Sequence, residues 1–454
     1  MQKENKMGVM PIKKLIITMS LPMMISMMVQ ALYNVVDSIF VSQINEEALT
    51  AVTLAFPMQN LMIALASGTG VGVNALLSRS LGEKRYERSN GAANASILLT
   101  VFNYIIFLII GIFFAGHFIA SQTQNPLIRE YGTTYLSIIC CLSIGIFFQV
   151  SFERLLQSTG RTIFSMVSQA TGAIINIIFD PIFIFGIGPF PAMGVAGAAY
   201  ATVMGQVIAC FIGLYCNLHY NHDIKLSLTS ILHPELEVIK EIYYVGIPSI
   251  LMMSIGSAMT YMMNRILEGF SSTATAVFGV YFKLQSFFFM PVFGLNNGLI
   301  PVLAYNYGAK RKSRIMEALK FAIVLAVSIM VIGTITFLAI PQVLLGMFAA
   351  SDDMLRMGIP ALRIISLSFP LAGLCIAMGS IFQAFSRSIY SLAISVGRQL
   401  VVLIPVAWLL SKTGSLDLVW CAFPIAELSS LLLSSYFFRK LYRRSEERRV
   451  GKEC

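Results

Sequence analysis

Long, unbroken apolar stretches, each closed by a short polar connection, follow one another along this 454-residue chain. They are continuously apolar instead of alternating, so they read as helices and not as strands of a transmembrane barrel. A helix needs about 20 such residues to cross ~30 Å of hydrocarbon. Twelve segments meet that length: 14–42, 49–79, 91–116, 130–156, 162–186, 193–216, 236–267, 273–305, 315–340, 353–384, 388–411 and 416–438. Several exceed the minimum, as tilted or kinked helices do. Prolines inside them (Pro22, Pro57, Pro181, Pro248, Pro291, Pro301, Pro370, Pro405 and Pro424) point to kinks, which membrane bundles tolerate. The predicted fold is an all-α integral membrane protein of twelve transmembrane helices.

Composition agrees, with 57% hydrophobic and only 12% charged residues, about half the charge of a soluble domain. The net charge of +10 invites a nucleic-acid reading, but the distribution of the bases removes it. They fall in alternate connections: Lys84, Arg85 and Arg88; Arg161; Lys225; Lys310, Arg311, Lys312 and Arg314; Arg387. Lys13, Lys14, Arg439 and Lys440 belong to the same side, while the opposite loops hold Glu46, Glu47, Asp352 and Asp353 with few bases. The positive-inside rule then puts both termini in the cytoplasm of a multi-pass plasma-membrane protein. Cys140, Cys141, Cys210, Cys216, Cys375 and Cys421 lie inside apolar runs and read as small hydrophobes. The four histidines form no ligand cluster. The first apolar run is too long for a cleavable signal peptide and leads straight into a second. Residues 444–454 resemble an in-frame translation of a sequencing-adapter oligonucleotide, which places the expected native end near Arg443.

The chain also repeats itself. Pro22 matches Pro248, Phe56 matches Phe282, and Gln59 matches Gln285. Gly82, Lys84 and Arg85 match Gly308, Lys310 and Arg311, and Gln157 and Arg161 match Gln383 and Arg387. Every pair keeps the same offset along the chain, with no gap required. The halves share one topology, so they form two pseudo-symmetric six-helix lobes, 1–218 and 236–443, joined by a polar linker at 219–235. Parallel repeats of this kind build two lobes around a central path, with alternating access by rocking.

Charge inside hydrocarbon is costly and commonly functional. The clear acids within spans are Asp37, Asp180 and Glu427, with Glu153 nearer the cytoplasmic end. Asp37 and Asp180 each lie about six residues before the outer end of a segment running outward, so they share one depth. Tyr33 precedes Asp37, and Asn176 precedes Asp180, by one helical turn. Asn34 is nearby, and Thr202 and Tyr135 enter at comparable depth. Carboxylate, amide and hydroxyl oxygens suit a small alkali cation, and two carboxylates sharing a low-dielectric site suit a proton equally. The alternative is that both acids only hydrogen-bond neighbouring helices.

These features resemble the multidrug and toxic compound extrusion family over nearly the whole chain to about Arg443. The resemblance rests on the Pro22 to Asp37 segment, the run Gly68-Thr69-Gly70-Val71-Gly72, the basic loop Gly82-Glu83-Lys84-Arg85 and the run Gly194 to Thr202. It implies a V of two six-helix lobes that exports cationic, amphipathic compounds by Na⁺ or H⁺ antiport, without enzymatic activity and with no cofactor beyond the coupling ion. It further implies a cation site, for Na⁺ or H⁺, at Asp37, Asn176, Asp180 and Thr202, lined by Tyr33 and Tyr135. Small-molecule substrates and the bilayer are the expected partners, and a monomer the expected state. Some relatives carry essential acids in the seventh and tenth helices. Here the seventh has Asn264, Arg265 and a terminal Glu268, and the tenth has no deep acid, which shifts the expected site to the N-terminal lobe.

The C-terminal lobe keeps Lys283, Arg398 and Glu427 within its spans. Arg398 and Glu427 sit at middle depth on adjacent segments and read as a buried ion pair, or as a point where Glu427 recognises a cationic substrate. Lys283 either snorkels or meets anionic groups. The Gly68–Gly72 run lies in an apolar span, where small residues allow close helix approach, so it is no phosphate loop. The 25 methionines are available to an adaptable cavity, though most read as core or lipid-facing. A flippase for lipid-linked sugars is the nearest alternative, and its signature would be a strongly basic central cavity. An intramembrane aspartyl protease also needs two membrane carboxylates, but its Gly-x-Gly-Asp and Tyr-Asp motifs are absent. A receptor role lacks an extramembrane domain to carry it.

Overall fold

A computed structural model describes residues 4–348 and 350–450. Among them the chain is helical throughout, without strands. The spans are α1 Ile12–Ser42, α2 Glu46–Gly82, α3 Tyr86–Ala120, α4 Pro126–Cys141 with Ile144–Ser158, α5 Thr162–Phe185 and α6 Val195–Tyr220. Then come α7 Leu236–Glu268, α8 Ser272–Gly308, α9 Lys312–Ala339, α10 Asp352–Ser366 with Phe369–Ala384, α11 Ser388–Ser411 and α12 Leu416–Arg444. Ten are single helices long and apolar enough to cross a bilayer, and α4 and α10 are broken pairs, each bent by 46°. Of the adapter-like segment, residues 451–454 lie outside the described residues, and helix continues in the backbone to Val450.

The sequence pattern runs straight through both breaks, because apolar content does not fall there. In α4 the Ser143 hydroxyl turns back onto the Cys140 carbonyl (2.7 Å), and in α10 Ser368 does the same to Ile365 (2.6 Å). Such back-bonding competes with the helical ladder, and Pro370 in α10 removes a donor as well.

The repeat is visible in the backbone. Lys84 and Lys310 both adopt left-handed φ (58° and 57°), and so do Gly160 (88°) and Ser386 (57°). Both pairs keep the offset that takes Pro22 to Pro248. Left-handed backbone is unfavourable for a side-chain-bearing residue, and here one closure holds it. Arg85 N–H donates to Ser80 O and Arg311 N–H to Asn306 O, both 2.9 Å. Arg161 N–H donates to Leu156 O and Arg387 N–H to Phe382 O. This six-to-one bond is how a helix ends with its last carbonyls satisfied.

The lobes meet through equivalent glycines. Gly68 of α2 lies against Ile250 of α7, and Gly294 of α8 lies against Met24 of α1. At the end carrying the basic loops, Gly82 sits on the Tyr305 carbonyl and Gly308 on the Arg79 carbonyl, with no room for a β-carbon. Small residues let backbones approach where lipid supplies no hydrophobic drive. The same end is strapped by the short helix Lys6–Val9. Asn5 donates to Thr159 O (2.8 Å), while Asn306 and Arg314 donate to Met7 O (3.0 and 3.1 Å) from the other lobe. Arg311 also reaches the Gly8 carbonyl.

Candidate functional site

One face of α5 builds the site. Ser165, Ser168, Gly172, Asn176 and Asp180 recur at three- and four-residue steps, so they form one stripe, and all are buried. Pro181 follows directly; it has no N–H, which leaves the helix locally open beside Asp180. α6 starts by laying Gly197 on the Phe183 carbonyl, and this register sets Thr202 opposite Asn176. With its amide oriented to satisfy both sides, Asn176 donates to Asp180 Oδ2 (3.2 Å) and accepts from Thr202 N–H and Oγ1–H (3.1 Å each).

α1 delivers the partner acid. The carboxyl groups of Asp37 and Asp180 stand close enough to act on each other directly. Tyr33, one turn before Asp37, and Tyr135 of α4 stand close enough to feel both charges. Tyr135 is buried and its hydroxyl accepts from Gln59 Nε2 of α2 (3.2 Å). A second tie between α1 and α5 runs from Ser26 to Gln169, which donates to Gln30 Oε1 (2.8 Å).

Electrostatically the site is incomplete. Asp180 is fully buried, and Oδ1 of both Asp37 and Asp180 lies out of reach of solvent with no hydrogen-bond partner. Among the described residues no lysine, arginine or histidine makes a salt bridge to either acid. Two orphaned carboxylate oxygens beside an amide and a hydroxyl fit a proton or a small hard cation. The donor set is too small in acids and too poor in His and Cys for a transition metal, and no cluster of three such ligands occurs among the described residues.

The remaining polar residues separate from this cluster. Asn34 is exposed, with its backbone carbonyl taken by Ser38 Oγ (2.9 Å). Arg398 Nη1 donates to Glu427 Oε1 at 2.6 Å, forming an ion pair whose acid is 9% exposed and whose base is 31% exposed. A π-helical turn at Gly397–Leu403 presents Arg398 to α12. Glu427 Oε2 stays buried without a partner. Lys283 is exposed and makes no salt bridge among the described residues.

Sequence reasoning missed one contributor. Gln59 carried a signal, its match to Gln285, and both glutamines pair with a tyrosine: Tyr281 donates to Gln285 at 3.0 Å. Glu153, near the Ser158 end of α4, is buried at 6% exposure.

Known proteins bear on the family and the fold. The family model MatE matches residues 22–182 and again 248–409, one match per half. The chain is 26% identical to a FAD transporter of Shewanella oneidensis over 95% of each sequence. It is 25% identical to the multidrug export protein MepA of Staphylococcus aureus over 94% of each. A solved multidrug resistance MATE family transporter in an outward-facing conformation superposes with a TM-score of 0.91 at 26% identity, covering 98% of this chain and 99% of that one. Twelve helices in two lobes, a repeat that the family model matches twice, and full-length likeness to transporters lead to one conclusion: the chain belongs to the MatE family, as a multi-pass membrane transporter and not an enzyme.

Proposed function

We propose that the protein is a secondary-active exporter that moves small, mostly cationic amphipathic compounds out of the cell in exchange for Na⁺ or H⁺. The observation that carries this reading is the Asp37–Asp180 pair, Asp180 buried and Asp37 half-buried, with Oδ1 of each shielded from solvent and no basic partner among the described residues. Such a pair is stable only when something positive from outside the protein joins it. The ion enters from the end opposite the basic loops, binds between α1 and α5 with Asn176 and Thr202, and is lined by Tyr33 and Tyr135. Its arrival changes how α1 packs on α5 and loosens the hold on substrate. The lobes then rock and the ion leaves toward the cytoplasm. An ion drives this cycle only if its affinity differs between the two lobe arrangements. In this reading residues 1–218 form the coupling lobe and the 219–235 linker is cytoplasmic. The basic-loop end and both termini face the cytoplasm of a bacterium, and the protein works as a monomer without a cofactor.

Two relatives' names bear on substrate. MepA is named as a multidrug exporter, and the Shewanella relative as a transporter of FAD, an anion. Export of an anionic compound is the second reading, favoured by Lys283, exposed and without a salt bridge among the described residues. A lipid-linked sugar flippase ranks lower, because its basic cavity is not assembled. Arg398 is neutralised by Glu427, and Arg265 stacks over the Tyr261 ring.

The test is movement of a fluorescent cationic dye, out of cells or into inverted vesicles, with the Na⁺ and proton gradients varied separately. Dye export that follows one gradient and falls by about tenfold or more in Asp37→Asn is the expected result. Equal export by Asp37→Asn and wild type would overturn the mechanism, and no gradient-dependent movement of any dye would remove the cationic export reading.

A further inference from the structure

The polar stripe on α5 does not end at Asn176. Toward the basic-loop end it continues through Gly172 to Ser168 and Ser165, about 18 Å from Asp180 to Ser168 at 1.5 Å per residue. There it meets a second buried acid, Glu153 of α4, near the Ser168 hydroxyl, whose proton goes to the Ala209 carbonyl (2.8 Å) and whose oxygen keeps lone pairs free to accept. Glu153 Oε1 accepts from Gln149 Nε2 (2.9 Å), and Gln149 Oε1 is itself buried with no partner. Next along, Gln157 Nε2 donates to Ser165 Oγ (2.9 Å) and Gln157 Oε1 accepts from Arg154 (3.0 Å). Arg154 also reaches Asn297 of α8 (3.3 Å), in the other lobe. A line of polar groups thus runs from Asp180 to the contact between lobes.

The line is interrupted once. At Gly172 of α5, the Gly205 carbonyl of α6 presses so close that a β-carbon would sit 2.8 Å from it, and Ala209 adds a second wall at 2.9 Å. This close-packed neck separates the outer acid pair from Glu153.

Glu153 has no salt bridge among the described residues. The titratable group acting on it is Arg154, its neighbour on α4, whose guanidinium is spent on Gln157 and Asn297. Beside Ser151 and Arg154, α2 contributes Thr69 and α3 contributes Ser96, Thr100 and Asn103, all uncharged; α5 contributes Ser168, and α6 contributes Asn217, which donates to the Phe152 carbonyl. The repeat supplies an independent observation. In the C-terminal half, the positions equivalent to Gln149, Glu153 and Ser168 are Cys375, Gly379 and Ile394, so the inner acid occurs in the same lobe as the outer pair and not in its copy.

Resting on the antiport reading above, we propose that Glu153, with Gln149 Oε1 and Ser168 Oγ, is the inner station for the coupling cation. It receives H⁺ or Na⁺ from Asp37–Asp180 when the Gly172–Gly205 neck loosens and passes it to the cytoplasm past Gln157. For a proton, the O–H bond on the outer carboxyl breaks and one forms on Glu153 carboxylate, with water carrying the proton across the neck. For Na⁺, carboxylate, amide and hydroxyl oxygens replace one another as ligands.

The test compares wild type, Glu153→Gln, Glu153→Asp and Asp37→Asn as full-length protein in inverted vesicles. Ion-driven dye transport is read while pH and Na⁺ on the cytoplasmic face are varied, and dye binding to each purified variant checks folding. Glu153→Gln is expected to bind dye within about twofold of wild type, to transport about tenfold more slowly, and to lose the response to cytoplasmic-face pH or Na⁺. Glu153→Asp should restore that response, and whether it follows pH or Na⁺ identifies the cation. A Glu153→Gln variant with wild-type rate and response overturns the proposal, as does one that also loses dye binding, which marks a structural role. Wild-type transport by Asp37→Asn strikes the antiport site itself, a separate failure.

Discussion

The two lobes share a backbone and differ in charge. In the C-terminal half, the positions equivalent to Tyr33, Asp37, Tyr135, Asn176, Asp180 and Thr202 are Met259, Met263, Ala361, Val402, Val406 and Leu428. The C-terminal copy of the acid site is therefore apolar. In the other direction, Glu427 and Arg398 correspond to Ala201 and Gly172. Each lobe has its own buried charge, built at positions where the other has a small or apolar residue. In the N-terminal lobe the acids face each other without a base, a state that one added cation changes strongly. In the C-terminal lobe acid and base neutralise each other at 2.6 Å, and a cation gains little by entering. Around that pair the core is heavily aromatic, with Phe278, Phe337, Phe369 and Trp420 fully buried. One scaffold thus carries a site that responds to an ion and a site that resists one, and the difference is set by a small set of side chains.

The largest expected effect breaks the comparison at its responsive side: Asp37→Asn should abolish most ion-driven export. Next is the contact that makes the lobes equivalent. Gly308→Val puts a branched side chain against the Arg79 carbonyl, so the basic-loop end cannot close. Crosslinking between cysteines placed on the two basic loops should fall several-fold, with transport lost in parallel. If crosslinking stays at the wild-type level, close approach there is not required.

Smaller is the cost of unbalancing the C-terminal pair. Arg398→Ala leaves Glu427 buried without its base and should lower stability by about 2 kcal/mol, toward the low side for a buried pair because Arg398 is partly exposed. Thermal unfolding in detergent measures it, and Glu427→Gln in the same background should recover much of the loss. An unchanged melting temperature for Arg398→Ala would show that the pair is not structural. The smallest effect is expected for Thr202→Val, which keeps shape but removes the hydroxyl that donates to Asn176. Export should persist with the ion concentration for half-maximal rate raised about threefold or more. No shift would remove Thr202 from the ion's surroundings.

Much of the membrane architecture was legible because hydrocarbon is an exacting solvent. Spans must be about 20 apolar residues long, and a stray charge such as Asp37 stands out. The repeat was legible because no insertion disturbs its constant offset, as Lys84 and Lys310 illustrate. What stayed hidden depends on helix rotation. Nothing local tells that Gln59 points at Tyr135, that Arg154 leaves Glu153 for Asn297, or that Gly172 meets Gly205. The breaks in α4 and α10 were hidden for a different reason: a serine hydroxyl folded back on its own helix leaves no trace in hydropathy.

The central claim, that the unpaired acids bind the coupling cation, is tested most directly by equilibrium ion binding to the purified transporter. Radioactive sodium binding and proton uptake from weakly buffered solution would be measured on wild type, Asp37→Asn, Asp180→Asn and Arg398→Ala. The account predicts saturable binding of one ion type in wild type and in Arg398→Ala, and its loss in both aspartate variants. Binding that survives in Asp37→Asn and Asp180→Asn but disappears in Arg398→Ala would contradict it and move the ion site to the C-terminal lobe.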